Sequence, residues 1–275
     1  MKIPFTKMHA IGNDFIVINQ TQNDYQLTKQ QIIHLANRHT GIGFDQLLII
    51  ENPNSSSVDF KYRIFNADGG EVEHCGNGAR CFFEFIKKNN LSSKKIIRVE
   101  TKNSILNLFE EKNLIKIDMG KPTFNFKEFT ELNSANQGFV IQSTSGNKNL
   151  IGHFVSLGNP HIVFFVDDLN DIYIEQSGLQ IQNSGFFSQG INVGFASINS
   201  KDEIRLKVFE RGSGLTLGCG TGACAATVIG YKHFNLNPLL KVNMPGGSLQ
   251  VNYSDKNQVF LLGDAHIVFE GEITL

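Results

Sequence analysis

The pentad Cys-Gly-x-Gly-Ala occurs twice in this chain, at residues 75–79 and 219–223, and that repetition constrains the fold more than any other feature. The flanking segments IFNADGGEVEHCGNGA (64–79) and VFERGSGLTLGCGTGA (208–223) superimpose without a gap at an offset of 144. Alternating runs precede both. Val58, Phe60, Tyr62 and Ile64 oppose Asp59, Lys61 and Arg63, and Ile204, Leu206 and Val208 oppose Glu203, Arg205 and Lys207. Period-two alternation of this kind predicts half-buried strands in the same phase. Beyond each pentad the period changes. Ala79, Phe82, Phe83 and Ile86 predict one face of a helix ending near Lys87 and Lys88, whose charges suit a helix C-terminus. The partner run from Ala223, ACAATVIGY, is small and apolar nearly all round, which predicts a helix buried on most sides within a curled sheet.

The repeat reaches further. AIGNDFIVI (10–18) resembles SLGNPHIVF (156–164), aligning Asn13 with Asn159 at an offset of 146, and Gln46 falls opposite Asn192 at the same offset. Asn66 opposite Glu210 and Cys75 opposite Cys219 follow at 144. Four polar positions recurring in order predict two similar domains, each a strand-rich unit around a central helix. A further helix is expected from Thr28 to about Arg38, and strands over most of the remainder, including KIIRVETKN, SILNLFEEKNLIKIDM, HIVFFVDDL and LKVNMPGGSLQVNYSDKNQVFLLG. Turn signals at Gly246-Gly247 and Ser254-Asp255 separate the last strand pairs, and KPTFNFKEFTELNSANQGF is read as a crossing between halves.

The 275 residues suffice for two cores, and 41% hydrophobic against 19% charged residues excludes a disordered chain. A net charge of −1 argues against nucleic acid or an anionic membrane as the main partner. No apolar run approaches a membrane span, and the N-terminal residues lack the pattern of a signal peptide. Four cysteines in such a chain point to a reducing, cytoplasmic compartment.

Cys81 and Cys224 fall within the helical runs and read as small buried hydrophobes. The spacings Cys-x5-Cys and Cys-x4-Cys miss the usual zinc knuckle, so no metal is expected. A phosphate loop would need Gly-Lys-Ser/Thr, which neither pentad supplies. Cys75 and Cys219 stand differently, each just before a helix start, where backbone N–H groups favour thiolate and attract a carboxylate. With the domains face to face, two thiols would address one small anion from opposite sides. One thiolate removes a proton beside the carboxylate while the other thiol returns one to the opposite face, and the reverse reaction swaps their roles.

Four segments, MHAIGNDFIVI, NADGGEVEHCGNGARC, LGNPHIVFFVDDL and ERGSGLTLGCGTGAC, make the chain similar to the diaminopimelate epimerase family, over essentially its whole length. The resemblance implies an α+β fold of two pseudo-symmetric domains, each a curled, mostly antiparallel, barrel-like sheet around a central helix. The expected boundaries are 1–119, with 265–275 returning to it, and 120–264. It also implies a cytoplasmic homodimer and a cofactor-independent isomerase that interconverts LL- and meso-2,6-diaminopimelate on the route to lysine and peptidoglycan. Cys75 and Cys219 would be the acid–base pair, and the amides at Gly76-Asn77 and Gly220-Thr221 would hold the reacting carboxylate. Asn13, Gln46, Asn66, Asn159, Asn192, Glu210 and Arg211 would line the pocket, with His161 and Glu210 adjusting the thiols.

Elementary chemistry supports part of this. A distal carboxylate suits a bidentate guanidinium such as Arg211, and a substrate with two ammonium and two carboxylate groups suits an amide lining. The plain alternative for Asn13 and Asn159, beside glycine, is a turn residue, and for His161 a strand-face histidine. Two residues depart from the family pattern: Leu215 stands where Glu is usual, and Gly218 where Ala is usual. His74 has no titratable counterpart in the second half and receives no catalytic role. Proline and hydroxyproline racemases resemble this family but usually show Cys-Gly-His where this chain has Cys75-Gly76-Asn77. A thiol-redox or metal module and a pure ligand-binding protein are the alternatives from other classes.

Overall fold

The structure is a computed structural model that describes residues 2–72, 75–125, 139–142, 149–188, 190–254 and 256–275. His74, Asp255 and most of the expected crossing segment lie outside these residues. The chain divides into two compact units, Met1–Asp118 with Leu262–Leu275, and Met119–Leu261.

In the N-terminal unit, β1 (Lys2–Ala10) turns tightly into antiparallel β2 (Asn13–Asn19), and the C-terminal strand His266–Thr274 pairs with the other edge of β1. Parallel strands cannot be joined by a hairpin and need a crossover. Helix α1 (Lys29–Ala36) provides one, linking β2 to parallel β3 (Gln46–Glu51). Antiparallel β4 (Phe60–Asn66) and the short β5 (Glu71–Val72) follow. Helix α2 (Gly76–Lys88) then crosses to β6 (Ile96–Glu100), which runs parallel to β4 and leads into antiparallel β7 (Ile105–Glu111) and β8 (Leu114–Asp118).

Helix α2 packs against β1, β2, β3, β7, β8 and the C-terminal strand, so the strands curl around it. Helix α1 lies on the other side of β3, where Ile32, Leu35 and Ala36 join Leu47, Ile49 and Phe65 in one apolar cluster. Covered on both faces, β3 buries four consecutive residues, Leu47–Ile50. Thr28 and Gln31 form a reciprocal capping box on α1, a contribution of about 1 kcal/mol. The helix stops short of the expected Arg38. Asn37 adopts an extended backbone, and its side-chain oxygen accepts from His39 N and Thr40 N, which turns the chain out of the helix.

The second unit repeats the plan. Strand β9 (Phe139–Gln142) pairs with β10 (Asn149–Ser156), which pairs antiparallel with β11 (Pro160–Val166). Helix α3 (Ile174–Gln182) crosses to β12 (Asn192–Ser200), parallel to β11. Antiparallel β13 (Glu203–Glu210) and β14 (Gly214–Thr216), inner helix α4 (Gly220–His233), β15 (Leu239–Met244), β16 (Gly247–Tyr253) and β17 (Val259–Gly263) complete the repeat. The registers correspond. Phe15↔Gln46 maps on His161↔Asn192 at 146, Leu47↔Phe65 on Val193↔Phe209, and Val99↔Leu106 on Val242↔Leu249 at 143. The drift from 146 to 144 falls in the hairpin after β3, which spans two residues more than the one after β12.

Helix α3 is absent from the elements expected from sequence. Its signal is weak because Gly178 interrupts the run and Tyr173 at its N-cap makes no side-chain cap bond. Tertiary packing forms it instead. Ile174 and Ile181 join Phe164, Phe195 and Phe209, and a Cβ on Gly178 would lie 2.5 Å from Phe209 Cγ. Gly178→Ala is therefore expected to cost roughly 1–3 kcal/mol by overpacking. Differential scanning calorimetry should show a thermal midpoint lowered by several degrees, and an unchanged midpoint would show that α3 does not pack against Phe209 this tightly.

Candidate active site

Each inner helix begins at a cysteine. Cys75 is the N-cap of α2 with extended backbone (φ −147°), and its sulfur accepts the Gly78 N–H at 3.3 Å. Cys219 is the N-cap of α4 (φ −125°), and its sulfur accepts the Gly222 N–H at 3.4 Å. The carbonyls of Cys75 and Cys219 accept from Ala79 N and Ala223 N at 2.9 and 3.0 Å, so the amides of Gly76-Asn77 and Gly220-Thr221 head the two helices. None of the four cysteines is in a disulfide, and Cys81 and Cys224 are buried inside α2 and α4. Glycine is required at both third positions. A Cβ on Gly78 would lie 2.3 Å from the Tyr62 hydroxyl, and one on Gly222 would lie 2.8 Å from Val208 Cγ2.

Around Cys75 the structure gathers Asn13 from the start of β2 and Asn77 from α2. Asn13 Oδ1 lies 4.0 Å from Cys75 Sγ and accepts from Asn77 Nδ2 at 3.4 Å. Gln46 and Asn66 are joined separately, Gln46 Nε2 donating to Asn66 Oδ1 at 2.8 Å across the β3–β4 register. Beneath them Arg80, fully buried, donates from Nη2 to Asn77 Oδ1 at 2.9 Å and from Nε to the Asp264 carbonyl at 3.0 Å. Asp45 accepts from Asn13 Nδ2 at 2.8 Å. Sequence reasoning missed both Arg80 and Asp45. Their signal is that each breaks the repeat, Arg80 standing opposite Cys224 and Asp45 opposite Ile191.

At Cys219 a carboxylate contacts the sulfur directly. The thiol donates to Glu210 Oε2 at 3.0 Å, while the Thr216 hydroxyl donates to Glu210 Oε1 at 2.6 Å and fixes the carboxylate. The Thr221 hydroxyl lies 3.5 Å from the sulfur and accepts from Asn159 Nδ2 at 3.3 Å. Asn159 Oδ1 is 3.2 Å from His161 Nε2, so Asn159 and Thr221 link His161 to the thiol. The Asn13–Asn77 contact of one unit thus recurs as Asn159–Thr221 in the other. Asn13 is a strand residue, whereas Asn159 occupies the turn between β10 and β11, donating nothing to the strand ladder. Asn192 Oδ1 accepts the Arg211 backbone N–H at 3.0 Å, which sets the exit from β13, and the Arg211 stem packs over Gly190. Leu215, in the position of the usual Glu, is exposed on β14.

The helix-start position leads one to expect a lowered thiol pKa at Cys219, and the structure corrects this. Burial pushes the thiol well above its ordinary value, and the Glu210 carboxylate pushes it further. The helix terminus and the Thr221 hydroxyl oppose them and lose. Stabilisation of charge at a helix end is worth about 0.3–1 kcal/mol, whereas desolvating a charge costs several. Free Cys219 is therefore a thiol hydrogen-bonded to a carboxylate. Among the described residues no group of three or more His, Cys, Asp or Glu side chains could hold a metal, and no helix is long and apolar enough to cross a membrane.

His161 is fully buried, and burial, aided by the nearby Arg211 charge, lowers its pKa to about 3. The unfolded chain binds a proton near pH 6.5 that the folded one refuses, so its stability contribution is lost as pH falls below that value. Chemical denaturation between pH 7 and pH 5 should show stability falling with a slope of up to about 1.4 kcal/mol per pH unit, and His161→Gln should flatten it. An unaltered slope in that variant would show that His161 is not buried as the neutral ring.

The family model for diaminopimelate epimerase matches residues 5–125 and 153–268. The diaminopimelate epimerase of Nitrosomonas europaea is 44% identical over 277 residues, covering all of both chains. That of Halothermothrix orenii is 41% identical over 286 residues, covering all of this chain and 99% of its own. Among solved structures, a PhzF-family phenazine biosynthesis protein of Bacillus anthracis aligns over all of both chains with a TM-score of 0.69 at 17% identity. A hydroxyproline epimerase of Agrobacterium vitis aligns over all of this chain and 93% of its own with a TM-score of 0.69 at 11% identity. At those identities the structural likeness establishes a shared fold.

Proposed function

The chain belongs to the diaminopimelate epimerase family, and from that premise we propose that it interconverts LL- and meso-2,6-diaminopimelate by proton exchange between two thiols at one α-carbon, without a cofactor. The observation that carries this reading is the duplicated N-cap cysteine. Each sulfur stands at the mouth of an inner helix, beside a pair of amides suited to a carboxylate. One thiolate takes the α-proton from one face, and the C–H electron pair passes into the carboxylate. The other thiol then delivers its proton to the opposite face. Base and acid end the turnover exchanged, so the reverse reaction begins from the product state. The helix-start amides hydrogen-bond the carboxylate as charge accumulates on it.

Glu210, fixed by Thr216 and bonded to Cys219, is the acceptor for the Cys219 proton when that sulfur serves as base. His161 orients Asn159 from its apolar site and stays neutral. Arg211 takes the distal carboxylate in a two-point contact, and Asn13, Gln46, Asn66, Asn159 and Asn192 receive the remaining ammonium and carboxylate groups. In this reading the two domains, 1–119 with 265–275 and 120–264, contribute one thiol each. The product serves lysine and peptidoglycan synthesis. Four thiols outside disulfides suit a reducing cytoplasm, and the working form is a homodimer, which analytical ultracentrifugation tests.

Incubation with meso-diaminopimelate in deuterated water, followed by NMR, should show α-hydrogen exchange with the wild-type protein and none with proline. Cys75→Ala and Cys219→Ala should each abolish epimerisation, whereas Cys81→Ala and Cys224→Ala should retain most of it and lose on the order of a kcal/mol or more of stability. Full turnover by either of the first two variants would overturn the two-thiol mechanism. Arg211→Lys should raise KM strongly, because an ammonium cannot reproduce the planar contact. Unchanged kinetics would remove Arg211 from the substrate contacts.

A further inference from the structure

In the N-terminal unit the polar side chains beside Cys75 form a hydrogen-bonded series with a cation at one end and an anion at the other. It runs from Arg80 Nη2 to Asn77 Oδ1 (2.9 Å), from Asn77 Nδ2 to Asn13 Oδ1 (3.4 Å), and from Asn13 Nδ2 to Asp45 Oδ2 (2.8 Å). A guanidinium only donates and a carboxylate only accepts. The charged ends therefore impose one direction on both amides, each presenting its oxygen toward Arg80 and its nitrogen toward Asp45. Both ends are anchored. Arg80 is buried and held by the Asp264 carbonyl, and Asp45 accepts from Arg38 Nη2 (2.8 Å) and the Asp14 backbone N–H (3.2 Å).

The consequence falls on the thiol. With its nitrogen committed to Asp45, Asn13 turns its oxygen to Cys75, 4.0 Å from the sulfur. Turned over, the same amide would offer the sulfur an N–H donor, which favours thiolate. We infer that Asp45 and Arg80 are positioning residues for the proposed reaction: they fix the Asn13 carbonyl on Cys75, where it favours the protonated thiol in the free enzyme. The inference rests on the two-thiol reading of the site. The framework shared by the two units does not account for these ends, because the residues opposite Asp45 and Arg80 are Ile191 and Cys224, both buried. There Asn159 engages His161 and Thr221 instead.

The titratable groups that interact with Cys75 include Tyr62 on β4 and Cys81 on α2, with Arg80 on α2 and Asp14 and Asp45 joined to the same series from β2 and the turn before β3. Burial raises Tyr62 and Cys81 well above their ordinary values, so both stay neutral in the range that matters.

The test is site-resolved alkylation of the folded, full-length protein by iodoacetamide across the pH range, with Cys75 and Cys219 peptides quantified by mass spectrometry. Asp45 is half-exposed, which favours folding of its variants. Asp45→Ala should raise the Cys75 rate at about pH 7.5 at least about threefold and move its profile to lower pH, with Cys219 unmoved. Asp45→Asn, which keeps one acceptor oxygen, should fall between. Arg38→Met removes the other side-chain partner of Asp45 and should leave the Cys75 profile as in the wild type. A folded Asp45→Ala or Asp45→Asn protein with the wild-type Cys75 profile overturns the inference, as does an equal shift in Arg38→Met. Because alkylation needs no substrate, a relay that stands beside a wild-type protein inactive on diaminopimelate would sink the functional reading alone, and the converse result would sink the relay alone.

Discussion

A helix enclosed by strands has to bury its first turn, and the amide N–H groups there need acceptors inside the protein. In both units of this chain a cysteine sulfur takes one of them and the cysteine carbonyl accepts the first intrahelical bond, while small residues follow so that the strands can close. The rest of the architecture depends on this arrangement. The inner helix is the crossover that permits β4 to run parallel to β6, and β13 parallel to β15, and the outer helices do the same for β2–β3 and β11–β12. A thiol at that cap is simultaneously a structural acceptor and a group aimed at whatever occupies the helix mouth.

The two units solve the packing differently within one plan. Helix α2 fills its sheet with Phe82, Phe83 and Phe85, whereas α4 presents Ala223, Ala225, Ala226 and Val228 and takes its bulk from surrounding strands and from Phe165 stacked on Phe234. The polar contacts diverge in the same way. A neutral amide addresses Cys75, a carboxylate addresses Cys219, and each is oriented by partners that its counterpart lacks. Duplication supplied equal frames, and the substitutions at Asp45, Arg80, His161 and Glu210 made the two thiols unequal in environment. Charge is also confined. Arg38 and Lys7 hydrogen-bond Asp14 strongly enough to overcome its burial and hold its carboxyl well below the usual range.

The sequence by itself determined the duplication, the inner helices, the strand phases and the two cysteines, because each is written in local periodicity or in residues that recur at a fixed offset. The placing of Asn13 beside Cys75 and of Glu210 beside Cys219 follows the same repeat. Three matters were decided only by tertiary structure. Helix α3 exists because Phe209 and its neighbours accept Ile174, Gly178 and Ile181, although its own propensity is poor. The proton affinity of Cys219 follows from burial and from Glu210, nine residues away in sequence and 3.0 Å away in space, and these outweigh the helix terminus that local sequence announces. Asp45 and Arg80 had no repeated partner to mark them, since a hydrogen-bonded series closes through space between β2, the turn before β3 and α2, and no pattern of spacing records the direction in which an amide points.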